Sequence, residues 1–149
     1  MGSVQSLFIY PTKSCAAVPL ESSKLTEEGL LGDRRIMLTG PDGTFLSQRS
    51  HPLLAHISLT YQDQQLILNF KGHTERFHHH SNSPCTVKIW QDTASATYLG
   101  DDISHHLSQI LETEVHVVKV SQNTQRWVDS RYCQDKVSYG FAEIGRAHV

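Results

Sequence analysis

Leu7-Phe-Ile-Tyr-Pro-Thr-Lys-Ser-Cys15 and, a short connection later, Leu25-Thr-Glu-Glu-Gly-Leu-Leu-Gly-Asp-Arg-Arg-Ile-Met-Leu38 decide how this chain reads. Two apolar runs, Leu7 to Tyr10 and Ile36 to Leu38, have the length and composition of short strands. Lys13 and Ser14 follow the first; Arg34 and Arg35 precede the second. If the two strands are neighbours, these groups meet at one mouth of a sheet. An ammonium, a hydroxyl and a planar guanidinium fork are the donor types that hold a phosphate or another anion. Backbone N–H groups of the loop around Lys13 would add donors. Arg35 should point away from Arg34, to the other face of its strand. The residues alone also allow a plainer reading, in which Lys13-Ser14 is a solvated loop and Asp33 forms a salt bridge with an adjacent arginine.

Working outward, Pro11 ends the first strand, because proline cannot continue a ladder and biases Tyr10 to extended backbone. Ala16 to Leu20 and Ser22 to Leu25 are weaker extended segments, and Thr26-Glu-Glu-Gly29 is a turn. Gly40-Pro-Asp-Gly43 is the clearest turn in the chain and predicts a hairpin of Arg35 to Thr39 with Thr44 to Gln48. Pro52 to Ala55 suits one helical turn. Ile57, Leu59 and Tyr61 alternate with Ser58 and Thr60, and Leu66, Leu68 and Phe70 with Ile67 and Asn69, which predicts a second hairpin. Two further strands are expected over Glu75 to His80 and Thr86 to Trp90. Gly100-Asp-Asp102 opens a helix whose apolar stripe is Ile103, Leu107, Ile110 and Leu111, ending near Glu112 or Thr113. Val115, Val117 and Val118 mark a last strand, and Gln122 to Arg131 reads as loop. With eight to ten short strands, one helix and no βαβ rhythm, the chain is expected to be mostly β, a barrel or sandwich with a helix over one opening.

Three blocks carry a resemblance: Ile9-Tyr-Pro-x-Lys-Ser-Cys15, Leu25-Thr-x-Glu-Gly-Leu-x-Gly-Asp-Arg34, and Asp42-Gly-x-Phe-Leu-Ser-Gln-Arg-x-His-Pro52. In this order and at these gaps they resemble the N-terminal β-barrel domain of MOSC proteins. These are molybdenum-cofactor proteins that include the mitochondrial amidoxime-reducing component and bacterial two-domain relatives. The resemblance implies a β-barrel with one covering helix over residues 1–120. It implies that Lys13, Ser14 and Arg34 touch the molybdenum cofactor, its pterin and phosphate. It also implies a second, MOSC domain, in cis or trans, as partner. Residues 121–142 would be a linker toward that domain, with Tyr139-Gly-Phe-Ala142 matching its start. Residues 143–149 depart from the family pattern as an atypical tail. The cysteine that binds molybdenum or carries sulfur in the family belongs to the MOSC domain, so no metal ligand carries over to this chain. The resemblance thus implies one wall of a cofactor site, without catalysis of its own, within an oxidoreductase or sulfur-transfer protein.

The 149 residues favour one domain, and 38% hydrophobic residues are enough for a core. A net charge of −2 gives no reason to expect nucleic acid or a membrane surface as partner. The sequence has no apolar run of membrane-spanning length and no basic-then-apolar leader, so the cytoplasm is the expected compartment. Cys15, Cys85 and Cys133 form no Cys-x-x-Cys pair, which argues against a zinc ribbon or thioredoxin-type site and for structural thiols. Cys15 adjoins Lys13, and a nearby cation would favour its thiolate. Among ten histidines, His78, His79 and His80 are consecutive, but no third ligand at a fixed spacing accompanies them, so a solvated strand end is expected. Arg49 either lines the mouth or bonds Asp33 or Asp42. Trp90 is expected to fill core, and no Ser-His-Asp order or Gly-rich phosphate loop stands out. Apart from the family, the alternatives are a standalone barrel that binds a small anion or a partner protein, and a barrel that only scaffolds another chain.

Overall fold

The computed structural model describes residues 2–79, 81–121 and Phe141. The expectations for His80, Cys133, the loop over Gln122 to Arg131, the linker and the tail therefore concern residues largely or wholly outside the described ones. Eleven strands and one α-helix follow one another: β1 Leu7–Ile9, β2 Val18–Leu20, β3 Leu25–Thr26, β4 Gly29–Leu30, β5 Ile36–Thr39, β6 Ile57–Gln62, β7 Gln65–Phe70, β8 His73–His78, β9 Pro84–Ile89, β10 Asp92–Tyr98, α1 Asp101–Leu111 and β11 His116–Val120. A 3-10 turn, Pro52–His56, leads into β6. The class is mostly β with a single helix among the described residues, as the periodicity predicts.

Closure into a barrel is where the structure departs from expectation. The strands form four separate ladders: β1-β2, β3-β4, β6-β7-β8, and β5-β11-β10-β9. The last sheet curls toward itself, and residues 43–46 run between its two edges. Leu46 N–H donates to Leu38 (2.9 Å), Phe45 N–H to Lys88 (3.1 Å), and Lys88 N–H to Gly43 (2.8 Å). Only isolated pairs, Thr39 with Phe45 and Thr44 with Lys88, span that gap, so no continuous ladder closes it. The predicted hairpin return of Thr44 to Gln48 is thus a two-residue bridge, and β5 takes β11 as its ladder partner.

β5 shows why the sheet holds two cores. All four of its residues are buried, and in a strand successive side chains point to opposite faces. Ile36 and Leu38 enter a first core with Leu54, Ile57, Leu59, Leu66, Leu68 and Val117, completed by Leu99, Ile103 and Leu107 around the helix. Met37 enters a second, with Val87, Ile89, Ala94, Ala96, Val118, Val120 and Phe141, against which Phe45 packs. Two serines fasten α1 to β11. Ser104 Oγ donates to Gly100 O (2.8 Å) and accepts from Val117 N–H (3.1 Å); Ser108 Oγ donates to Ser104 O (2.6 Å) and accepts from Val115 N–H (2.9 Å). The two hydroxyls thereby satisfy the backbone N–H groups of Val115 and Val117. The helix begins after Gly100, whose φ of 129° suits glycine, and ends at Glu112 in the left-handed region.

Candidate functional site

β1 and β5 are not ladder partners; β1 pairs with β2. The segment after β1 nevertheless runs parallel to the segment that enters β5. Arg34 N–H donates to Tyr10 O (2.7 Å), Ile36 N–H to Pro11 O (3.0 Å), and Lys13 N–H to Ile36 O (2.8 Å). Thr12 and Ile36 form a parallel bridge. The seam is anchored below by Thr12, fully buried, whose hydroxyl donates to Leu59 O at 2.6 Å. The backbones that carry Lys13, Ser14 and Arg34 are therefore brought together through these flanking segments instead of through a β1-β5 ladder.

The side chains take different partners. Lys13 is only 7% exposed and its Nζ lies 5.0 Å from the centre of the Phe45 ring. Phe45 in turn meets Trp90 edge-on, with ring centres 5.1 Å apart. Trp90 is 60% exposed, so it caps this row and does not fill core as the sequence suggests. The guanidinium of Arg34 lies 4.5 Å over the Tyr10 ring, and its Nη1 meets Asp33 Oδ2 at 2.6 Å. The other carboxylate oxygen of Asp33 accepts from Tyr10 N–H at 2.8 Å. The Asp33–Arg salt bridge of the plainer reading is thus present. Each cation also sits on an aromatic face, an attraction between positive charge and ring quadrupole. Arg35 takes the opposite direction, to Glu28 at 2.6 Å, in line with strand alternation.

Ser14 and Arg34 have φ of 65° and 47°. Left-handed backbone is unusual for residues with a Cβ and holds only where the surroundings fix it. At Ser14 the fixing contact is Gln48, whose Nε2 donates to Ser14 O at 2.9 Å. The loop offers fewer amide donors than expected. Among residues 13–16, Lys13, Cys15 and Ala16 donate to Ile36, Thr12 and Ile57, which leaves Ser14 N–H without a partner among the described residues. Arg49 is exposed and bonds neither acid suggested for it: Asp33 holds Arg34, and Asp42 accepts from Thr44. Burial and left-handed strain at Lys13, Ser14 and Trp90 leave no signal in hydropathy or spacing.

Cys15 overturns the reactive-thiol reading. It is 2% exposed, within the first core, and burial pushes its thiol up to about 12. A buried thiol cannot be ionised cheaply. Cys85 is half-buried and also raised by burial. His78 ends β8 exposed, while His79 Nδ1 meets Tyr61 hydroxyl at 3.1 Å and its Nε2 faces Ser81 O. No group of three metal-ligating side chains occurs among the described residues. Among those residues no helix is long and apolar enough to cross a membrane.

The molybdenum cofactor sulfurase of Bos taurus is 28% identical over 148 residues, covering 95% of this chain and 17% of its own length. The mitochondrial amidoxime reducing component 2 of Bos taurus is 38% identical over 76 residues, 48% of this chain and 23% of the relative. The chain thus spans about a sixth to a quarter of the curated relatives it matches. A protein of Bordetella bronchiseptica, solved in solution, shares the fold with a TM-score of 0.52 at 13% identity, over 76% of this chain and 98% of the other. A family model matches residues 1–114, and the chain belongs to the MOSC N-terminal beta barrel domain family.

Proposed function

We propose that this chain is the N-terminal part of a molybdenum-cofactor protein and lends one wall to the cofactor site. Lys13, Ser14 and Arg34 would hold the anionic end of the pterin, and a MOSC domain, in cis or trans, would supply the other wall. The observation that carries the reading is the parallel seam of residues 10–13 with 34–36, which gathers these three residues from two distant motifs. The donor set fits the group. An ammonium, a hydroxyl and a guanidinium are the donor types that hold a phosphate, and Asp33 orients the guanidinium of Arg34.

When bound, the molybdenum supplies redox or sulfur-transfer chemistry, and the protein supplies binding and orientation. This chain's part is to fix two cations. Phe45 seats the Lys13 ammonium, and Asp33 with Tyr10 orients Arg34, so little side-chain freedom is lost on binding. No catalysis is assigned to the chain alone. Phe8 and Tyr10, 50% and 39% accessible, add apolar surface beside Arg34 for a second domain.

The test is cofactor content in the whole parent protein, read as molybdenum by elemental analysis and as pterin by fluorescence after release. Lys13→Ala and Arg34→Ala are each expected to lower occupancy about tenfold, the effect of losing one charge-assisted contact. Full occupancy in both variants would sink the assignment.

A further inference from the structure

A groove lies beside the seam, lined on one side by Pro11 and Ile36. It runs between the start of β5, the end of β11 and strand β6, and holds about 460 Å³. That is within the range of roughly 300–1,000 Å³ typical of small-molecule sites. Its walls include Ile9, Pro11, Ile36 and Tyr61, and two cations, Arg35 and Lys119, line it as well. Lys119 is half-buried, with its Nζ 4.4 Å over the Tyr61 ring. Among the described residues no carboxylate pairs with it. The Tyr61 ring offsets part of the cost of holding this ammonium half-buried, and an anion in the groove would offset more. Arg35 meets Glu28, but both side chains are about a third exposed, at 32% and 39%. Such a pair is weak and open to exchange.

We propose that this groove binds a small amphipathic carboxylate, its apolar body against Ile9, Pro11, Ile36 and Tyr61 and its carboxylate against Lys119 and Arg35. Charge complementarity selects the ligand: among the described residues Lys119 meets no carboxylate and Arg35 meets the exposed Glu28, and the apolar walls favour an organic over a simple inorganic anion. Arg35 can take a carboxylate in its planar fork, and Lys119 adds a point charge. The site uses neither Lys13 nor Arg34, so it stands or falls apart from the cofactor reading.

Octanoate is the probe, titrated into the 149-residue chain by calorimetry and by amide chemical shifts, with octanamide as its neutral counterpart. Saturable octanoate binding with shifts at Ile36, Tyr61 and Lys119 is expected, and octanamide should bind about tenfold more weakly, the loss of one charge-assisted contact. Lys119→Gln should remove most of that preference, and Lys119→Arg should keep it. Equal binding of the two probes, shifts centred on Lys13 and Ser14, or no saturation by about 10 mM would each overturn the proposal. Shift dispersion of each variant shows that it is folded.

Discussion

The hydroxyl of Thr12 donates to the carbonyl of Leu59 across 47 positions of sequence at 2.6 Å, and Thr12 is wholly buried. One bond thus ties the segment carrying Lys13 and Ser14 to the middle of β6. Valine has nearly the same shape but no donor, so Thr12→Val leaves the carbonyl of Leu59 without this bond. The expected cost is about 1–3 kcal/mol. Thr12→Ser keeps the hydroxyl and loses one methyl, about 1 kcal/mol. Urea denaturation of both variants checks the order. A valine variant as stable as the parent would mean that the seam is held elsewhere.

Cys15 should be silent toward thiol reagents while the chain is folded. With its thiol at about 12, its thiolate fraction at pH 8 is on the order of one in ten thousand. In a Cys133→Ser background, an aromatic disulfide reagent at pH 8 should label Cys85 first and Cys15 only on unfolding. Equal rates would contradict its burial.

The same group makes stability depend on pH on the alkaline side. The folded thiol keeps its proton up to about 12, whereas the unfolded one releases it from its ordinary value of 9.0. Between those values the unfolded state binds fewer protons, so its contribution, whole below pH 9, falls as pH rises toward 12. The limiting slope for one proton is about 1.4 kcal/mol per pH unit. Cys15→Ala should flatten this part of the stability curve, measured by denaturant midpoints at stepped pH. An unchanged slope in the variant would assign the effect to other groups.

Gly43 is required twice over. Its φ of +81° is left-handed, and a Cβ there would lie 2.9 Å from the carbonyl oxygen of Thr86. Gly43→Ala must shift backbone that bridges β5 and β9, and about 1–3 kcal/mol of stability is expected to go. Thermal unfolding measures it. A neutral result would show that residues 43–46 do not bind the sheet edges together.

Much of this architecture was legible because burial repeats with a period. Ile57 and Leu59, Leu66 and Leu68, and the stripe Ile103 and Leu107 all enter the core as their spacing predicts. The Asp33–Arg34 pair and the opposite course of Arg35 also accord with adjacency and strand alternation. Three features were not legible. The partner of β5 is β11, some eighty residues on, and one strand's pattern says nothing of which neighbour it takes. The left-handed backbone at Ser14 and Arg34 is not favoured by either residue, and that at Trp90 belongs to the two-residue turn between β9 and β10, where glycine or asparagine is the usual signal. The third is β10, central in its sheet and unpredicted, because Asp-Thr-Ala-Ser-Ala-Thr-Tyr has small residues where strands usually show large ones.

That last strand can be tested by size. β10 buries Ala94 at 6% and Ala96 at 0%, while Thr93 and Ser95, which alternate with them, face outward. Ala96 is paired with Cys85 on one side and Val120 on the other, and its methyl lies in the second core. Ala96→Leu adds three carbons to a filled site and is expected to cost about 1–3 kcal/mol. Thr93→Leu, on the exposed face opposite Lys88, should change stability by no more than about 0.5 kcal/mol. Chemical denaturation of the two variants reads the register directly. A one-residue slip of β10 would exchange the faces and reverse the order of the two effects. The small residues would then be surface residues, and the second core would need another explanation for its closeness.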